Sequence, residues 1–177
     1  MSEELFYTFK FSLIGDKGVG KTTLANKFCG IKEAVSSTIS TQFLSKSLWL
    51  SGINNHVCVK YLLSDNPNFI DQRNNTAISI KDNAVFFFIF DLSKRASFDQ
   101  LEDQLETIRT NNNNTSQIHI LLANQTDPGR TEVNIDDAKE FANNQSLEFY
   151  QVSPKDESFP SIIKSLGERI YAHVETL

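Results

Sequence analysis

The sequence predicts an α/β protein: a mostly parallel six-stranded sheet with one antiparallel hairpin strand and helices on both faces. Three observations carry this. Strand-like and helix-like runs alternate along the chain, as they do when crossover helices link parallel strands. The glycine-rich stretch Gly15-Asp16-Lys17-Gly18-Val19-Gly20-Lys21-Thr22 lies between an apolar strand-like run and a helical one. Two further strand-like runs are separated only by the short polar stretch Ser51-Gly52-Ile53-Asn54-Asn55, which makes them an antiparallel hairpin.

Taken in order, the first strand covers Thr8 to Ile14, with Phe9, Phe11, Leu13 and Ile14 apolar. Lys21 to Cys29 reads as a helix that Gly30 stops. A polar loop through Ser36 and Ser37 leads to the hairpin strands, Phe43 to Leu50 and His56 to Leu63. Ser64 to Thr76 is polar and irregular, with Pro67 and several asparagines. Ala84 to Phe90 is a continuous apolar run, as for a strand covered on both faces. Phe98, Leu101, Leu105 and Ile108 step at helical spacing, with Ser97 as a cap region. Asn111 to Asn114 is a loop, and Ile118 to Ala123 is the next buried strand. A helix from Ile135 to Asn143 opens on Asp136 and Asp137. Phe149 to Val152 is the last strand. Pro160 to Thr176 closes the chain as a helix, with Ile162, Ile163, Leu166, Ile170 and Val174 on its buried side.

The 177 residues suit one domain, 1–177, with a sizeable core. A net charge of −5 offers no basic field for nucleic acid. The longest apolar run is far too short to span a bilayer. Met1-Ser2-Glu3-Glu4 is acidic and polar, unlike a secretory signal. Cys29 and Cys58 sit in apolar surroundings and read as small core residues of a reducing compartment. No cysteine stands near Leu177, so no prenylation box is visible and no direct membrane anchor is expected in this chain. The expected location is cytoplasmic.

The stretch from Gly15 to Thr22 reads G-x-x-x-x-G-K-T, with the strand, loop and helix context that the phosphate-binding motif requires. Glycines at 15, 18 and 20 let successive N–H groups turn inward as an anion nest. The helix that follows adds its partial positive charge. Lys21 reaches for β- and γ-phosphates, and the Thr22 hydroxyl suits a magnesium ion. The candidate phosphate-binding residues are Asp16, Lys17, Gly18, Val19, Gly20, Lys21, Thr22 and Thr23.

In such sheets ligands sit beyond the carboxyl ends of the parallel strands. Asn124-Gln125-Thr126-Asp127 follows one buried strand there, and Ser153-Pro154-Lys155 follows the last. A carboxylate at Asp127 accepts from both N1–H and the exocyclic amine of guanine, a donor pair that adenine lacks. Asn124, Gln125, Asp127, Ser153, Pro154 and Lys155 are the candidate guanine-binding residues.

With these motifs in this order, the chain resembles the Ras superfamily of small GTPases, and most of all its Rab branch. The likeness runs nearly the whole length. Ser37-Thr38-Ile39-Ser40-Thr41-Gln42-Phe43-Leu44 resembles the Rab effector stretch T-I-G-x-[DE]-F. Ile80 to Ala84, Phe90-Asp91-Leu92-Ser93 and Ser97-Phe98 resemble the segment from the fourth strand to the third helix. Asn124 to Asp127 resembles N-K-x-D, and Ser153 to Lys155 resembles S-A-K. The resemblance implies the P-loop NTPase fold of a small G protein and a GTP/GDP switch with bound Mg2+. It implies effectors that read the GTP-ordered loops, an exchange factor, and a peripheral place on endomembranes. It assigns Thr38 and Asn68 to the γ-phosphate, and the metal to Thr22, Thr38 and, through water, Asp65.

The departures matter as much. The family's D-T-A-G-Q falls on Asp65-Asn66-Pro67-Asn68-Phe69. Asp65 is kept. Asn68 replaces the glycine whose N–H meets the γ-phosphate, and Pro67 stiffens its approach. Phe69 replaces the glutamine that orients the attacking water, and a phenyl ring cannot position water as an amide does. Catalysis here is mostly positioning and electrostatics, so very slow intrinsic hydrolysis is expected, with no confident catalytic residue. Gln125 replaces the lysine of N-K-x-D and shortens an aliphatic stem over the nucleotide. The loop from Lys21 to Thr38 is about two residues short of the Rab spacing. It has no aromatic after Phe28 to flank guanine, and Ile31 is the best apolar substitute. Each change weakens nucleotide grip by about 1 kcal/mol.

Lys17 is either a solvated lysine on the loop rim or a cation supplied toward the γ-phosphate. His56, His119 and His173 show no metal spacing and read as surface or rim histidines. Asp71 and Arg73 read as solvated loop, and Glu102, Asp103 and Glu106 as a solvated helix face. Trp49 and Phe43 match the zone where the family meets effectors, with core packing an equal alternative for Phe43. Two other classes stand beside the switch: a pseudo-GTPase serving as an interaction scaffold with structural or no nucleotide, and an ATPase or kinase, which Asp127 disfavours.

Overall fold

The computed structural model describes residues 5–32, 42–50, 57–65, 84–111 and 116–175. The expectations for Thr38, Ser51 to Asn55, Asn66 to Thr76, Ile80 to Asn83 and His56 lie outside these residues, as does the side chain of Val174.

Among the described residues six strands form one sheet. They are β1 (Leu5–Ile14), β2 (Gln42–Trp49), β3 (Val57–Asp65), β4 (Val85–Asp91), β5 (Ile118–Asn124) and β6 (Glu148–Gln151). Their order is β2-β3-β1-β4-β5-β6. Only β2 runs antiparallel, pairing Trp49 with Cys58 and Phe43 with Ser64 on β3. The four other pairings are parallel. Among the described residues the helices are α1 (Lys21–Cys29), α2 (Arg95–Asp99), α3 (Leu101–Thr110), α4 (Ile135–Asn144) and α5 (Ser158–Glu175).

Strand alternation divides the core between the two sheet faces. On β4, Phe87 and Ile89 pack with Leu24 and Phe28 of α1 and with Phe159, Ile163 and Leu166 of α5. Phe86, Phe88 and Phe90 point the other way, into Leu101, Leu105 and Ile108 of α3 and Ala138 and Ala142 of α4. All seven β4 residues are buried, and the six from Val85 to Phe90 are apolar, as a strand covered on both faces requires; Asp91 closes it.

Boundaries and side-chain roles differ from expectation at a few places. β1 begins earlier, at Leu5, because its pairing with β3 continues to Val57. α5 starts at Ser158, and Phe159 and Tyr171 join its buried side while Ile162 and Ile170 are only partly covered. Ser97 is no cap: it lies inside α2, buried, and its Oγ accepts from the Asp91 N–H at 2.9 Å. α4 is capped by Asn134, whose side chain accepts from the Asp136 N–H at 2.9 Å. His119 is half-buried: its ring lies edge-on to Phe86 and Phe88, and Nε2 is buried with no hydrogen-bond partner among the described residues. Phe43 is 61% exposed, which removes core packing as its role, and Trp49 is 52% exposed beside the Phe6 ring. Glu102, Asp103 and Glu106 are solvent-exposed. Both cysteines are free; Cys58 is buried and Cys29 half-buried.

Candidate nucleotide site

The site is built at the carboxyl ends of β1, β4, β5 and β6, where four loops converge. β1 ends at Ile14 and α1 begins at Lys21. The intervening loop needs glycine at two positions for reasons of space. A Cβ on Gly15 would stand 2.2 Å from the Ile89 carbonyl oxygen, so the loop leaves β1 pressed against β4. A Cβ on Gly20 would stand 2.3 Å from Asn124 Nδ2, and Gly20 also has φ +96°.

A peptide plane is rigid, so a bond that holds its carbonyl also fixes the direction of its N–H. Lys21 Nζ donates to the carbonyls of Gly15 and Asp16, at 2.8 Å each. Asn124 Nδ2 donates to the Val19 carbonyl at 2.8 Å. These bonds fix the planes that carry the N–H groups of Asp16, Lys17 and Gly20. These planes of the loop are thus fixed in advance, and the ammonium that fixes two of them is itself buried. Thr22 and Thr23 follow in the first turn of α1. No acidic residue occupies that turn, so none within the helix offsets its positive end. Lys17 is exposed, and its backbone N–H donates to Asp16 Oδ1 at 2.7 Å. At the other end of α1 the Ile31 N–H returns to the Asn26 carbonyl at 2.9 Å, leaving Ile31 exposed.

Asn124 is the last residue of β5, opposite Asp91 on β4. Its side chain is buried, and Oδ1 has no hydrogen-bond partner among the described residues. An orphaned buried acceptor is costly in a finished site and suits one that a ligand or its water completes. Gln125 turns aside: Nε2 donates to the Arg130 carbonyl at 3.2 Å and lies 3.4 Å from Thr131 Oγ1. Asp127 is exposed, and its Oδ1 accepts from the Gly129 N–H at 3.0 Å, which sets the carboxylate in its turn. After β6, Ser153 Oγ accepts from the Lys155 N–H at 3.1 Å, while the Ser153 N–H donates to Ser158 Oγ at 3.1 Å. Pro154 and Lys155 therefore lie on a turn anchored to the start of α5.

Asp91 is the residue that sequence reasoning missed. It is fully buried, and its carboxylate accepts from the N–H and Oγ of Ser93, at 2.9 and 2.6 Å, and from the Thr126 N–H at 3.1 Å. Thr126 Oγ1 also donates to Oδ2. Burial alone would raise this carboxyl, but the four bonds from Ser93 and Thr126 outweigh it and hold Asp91 below the usual carboxylate range. Asp91 is thus a charged pin that fixes the Asn124–Asp127 loop. Its signal was a lone acid closing an apolar strand, with Ser93 two residues on.

The expected metal ligands are only partly described. Thr22 is the second residue of α1, and the backbone of Asp65 ends β3 opposite Leu13, so both positions stand at the loop end of the sheet; the Asp65 side chain lies outside the described residues. A hydroxyl and a carboxylate are the hard oxygen donors that magnesium takes, so this part of the set fits. Thr38, Asn68 and Phe69 lie outside the described residues.

Comparison with known proteins agrees with this geometry. The profile of the Ras family matches residues 10–171. The Ras-related protein RABA3 of Arabidopsis thaliana is 30% identical over 96% of this chain and 73% of its own length. Rab11C of Nicotiana tabacum is 30% identical, and RABA4d of Arabidopsis thaliana 31%, each over 86% of this chain and 68% of the relative. A glycine loop with pinned peptide planes, an Asn124–Asp127 loop on a buried acid, and these relatives lead to one assignment: the chain belongs to the Ras superfamily of small GTPases, in its Rab branch.

Proposed function

We propose that the protein is a Rab-type guanine-nucleotide switch of intracellular membrane traffic that hydrolyses GTP very slowly. The observation that carries the nucleotide part is the phosphate loop, whose Gly15, Asp16 and Val19 carbonyls are tied down by Lys21 and Asn124. Such a loop meets polyphosphate with these peptide planes already fixed, so binding costs little reorganisation. In this reading Asp16 to Thr23 cradle the phosphates, with Thr38 and Asn68 on the γ-phosphate. Asp127 selects guanine, while Asn124, Gln125 and the Ser153-Pro154-Lys155 turn complete the base pocket. Thr22, Thr38 and, through water, Asp65 would hold Mg2+, which would supply positive charge to neutralise the phosphates. Partners would be an exchange factor and effectors meeting the switch-side strands, where Phe43 and Trp49 are exposed. Among the described residues no helix is long and apolar enough to cross a membrane, and the reading has the protein peripheral on endomembranes.

Slow hydrolysis rests on Asn68 and Phe69, which stand where the family has glycine and glutamine. The test is single-turnover hydrolysis of preloaded GTP, with the retained nucleotide identified after denaturation. The reading expects guanine nucleotide, released by EDTA, and GTP that persists far longer than in ordinary family members. Hydrolysis at an ordinary family rate contradicts the slow switch. Purified protein that never takes up nucleotide favours the scaffold instead.

A further inference from the structure

The family's N-K-x-D has lysine where this chain has Gln125, and Gln125 is committed to its own turn through Arg130 and Thr131. Another lysine reaches the phosphate loop from elsewhere. Lys94 lies 76 positions beyond Gly18, in the turn between β4 and α2, and its Nζ donates to the Gly18 carbonyl at 2.8 Å. The same ammonium stands 3.5 Å from Oδ2 of the fully buried Asp91. Gly18 is the turn of the loop, with φ +78°.

We propose that Lys94 is the positioning lysine of this nucleotide site, supplied by the β4–α2 turn in place of a lysine at position 125. The proposal rests on the nucleotide-binding reading given above. Its physical basis is the peptide plane between Gly18 and Val19. Lys94 holds that carbonyl, which fixes the direction of the Val19 N–H. Asn124 does the same for the next plane. Lys21 holds two planes at the start of the loop, so Lys94 secures the one at its turn that neither of them reaches. Asp91 orients the ammonium and is itself fixed to Thr126 of the base-side loop. One buried carboxylate therefore ties the phosphate loop to the loop that carries Asp127. Lys94 brings its positive charge to the loop mouth, where an anionic ligand gains from it. Its side chain is 46% exposed, so its effect is reduced by solvent and by salt.

The test is the dissociation rate of a fluorescent GDP analogue from the Mg2+-saturated protein, for wild type, K94M, K94R and K94M/Q125K. K94M keeps the stem and removes the charge; it should speed release by about tenfold, the scale of one charge-assisted hydrogen bond discounted for exposure. K94R should stay close to wild type. A lysine restored at position 125 grows from the residue after Asn124, whose amide already touches the loop at Val19. K94M/Q125K should therefore recover most of the loss, a rescue that general loosening of the fold would not give. K94M that releases nucleotide at the wild-type rate, or a loss that Q125K leaves uncorrected, overturns the proposal. Wild type that binds no guanine nucleotide overturns the nucleotide reading itself, a separate result.

Discussion

Asn124 Nδ2 donates to the Val19 carbonyl oxygen across 105 positions of sequence, at 2.8 Å. The bond joins the end of β5 to the middle of the phosphate loop. It also explains why position 20 admits no side chain, since a Cβ there would collide with the same amide.

That packing predicts coupled variants. Asn124→Ala leaves the buried Val19 carbonyl without its donor and should lower stability by about 1–3 kcal/mol. Gly20→Ala adds both a clash and a side chain at positive φ, with a loss of about 1–3 kcal/mol. The double variant should lose less than the sum, because Asn124→Ala removes the atom that Gly20→Ala strikes. Urea unfolding of the three proteins measures this, and strict additivity would mean the two residues do not meet.

Asp127 is predicted to set base choice by charge and donor pattern. Asp127→Asn replaces an all-acceptor carboxylate with an amide that both donates and accepts. Affinity for guanine nucleotide should fall by roughly a hundredfold or more, the scale of a lost charged pair of hydrogen bonds. Xanthine nucleotide, which carries a carbonyl in place of the exocyclic amine, should bind the variant better than wild type. Competition between the two diphosphates reads this out.

The closing helix carries its own test. A Cβ on Gly167 would stand 1.9 Å from Tyr61 Oη, and that hydroxyl has no hydrogen-bond partner among the described residues. Burial, with a smaller contribution from Glu168, pushes the Tyr61 phenol up to about 12, so it stays neutral across the physiological range. Gly167→Ala should cost about 1–3 kcal/mol by overpacking, although alanine favours a helix. Tyr61→Phe should be neutral or stabilising by up to about 1 kcal/mol, since the hydroxyl it removes is unsatisfied. Thermal melting of both variants checks this pair.

His119 predicts a pH dependence. Burial first, and the nearby Arg109 charge second, depress its pKa below the usual 6.5. As pH falls through 6.5 the unfolded chain takes up the proton before the folded one, so stability from this residue is lost on acidification and is fully present above that value. Asp91 and Glu148 are depressed acids, below 3.8 and 4.5. Their contribution is lost only as pH falls below those values, which leaves the window between about 5 and 7 to the histidine. Urea midpoints should fall between pH 7.5 and 5.5, and His119→Phe should flatten that slope.

Local patterns were the readable part of this molecule. The bounds of α1 were legible because Lys21 to Cys29 lies between glycines, and the antiparallel β2 was legible from a short polar connection. The site loops were legible because spacing and glycine content are local properties. Long-range partnerships were not. Ser97 looks like a cap until Asp91, six residues earlier, is seen to use its hydroxyl. Lys94 carries no signature in a polar turn, and only the fold brings it to Gly18. Burial of His119 depends on the two phenylalanines that β4 sets beside β5, a register no single strand reveals.

The most direct measurement of the central claim is competition of GDP and ADP for the Mg2+-saturated protein, followed by displacement of a fluorescent guanine nucleotide. The account predicts displacement by GDP and none by ADP at a hundredfold higher concentration. Equal displacement by the two diphosphates, or no uptake of the fluorescent nucleotide, would contradict it.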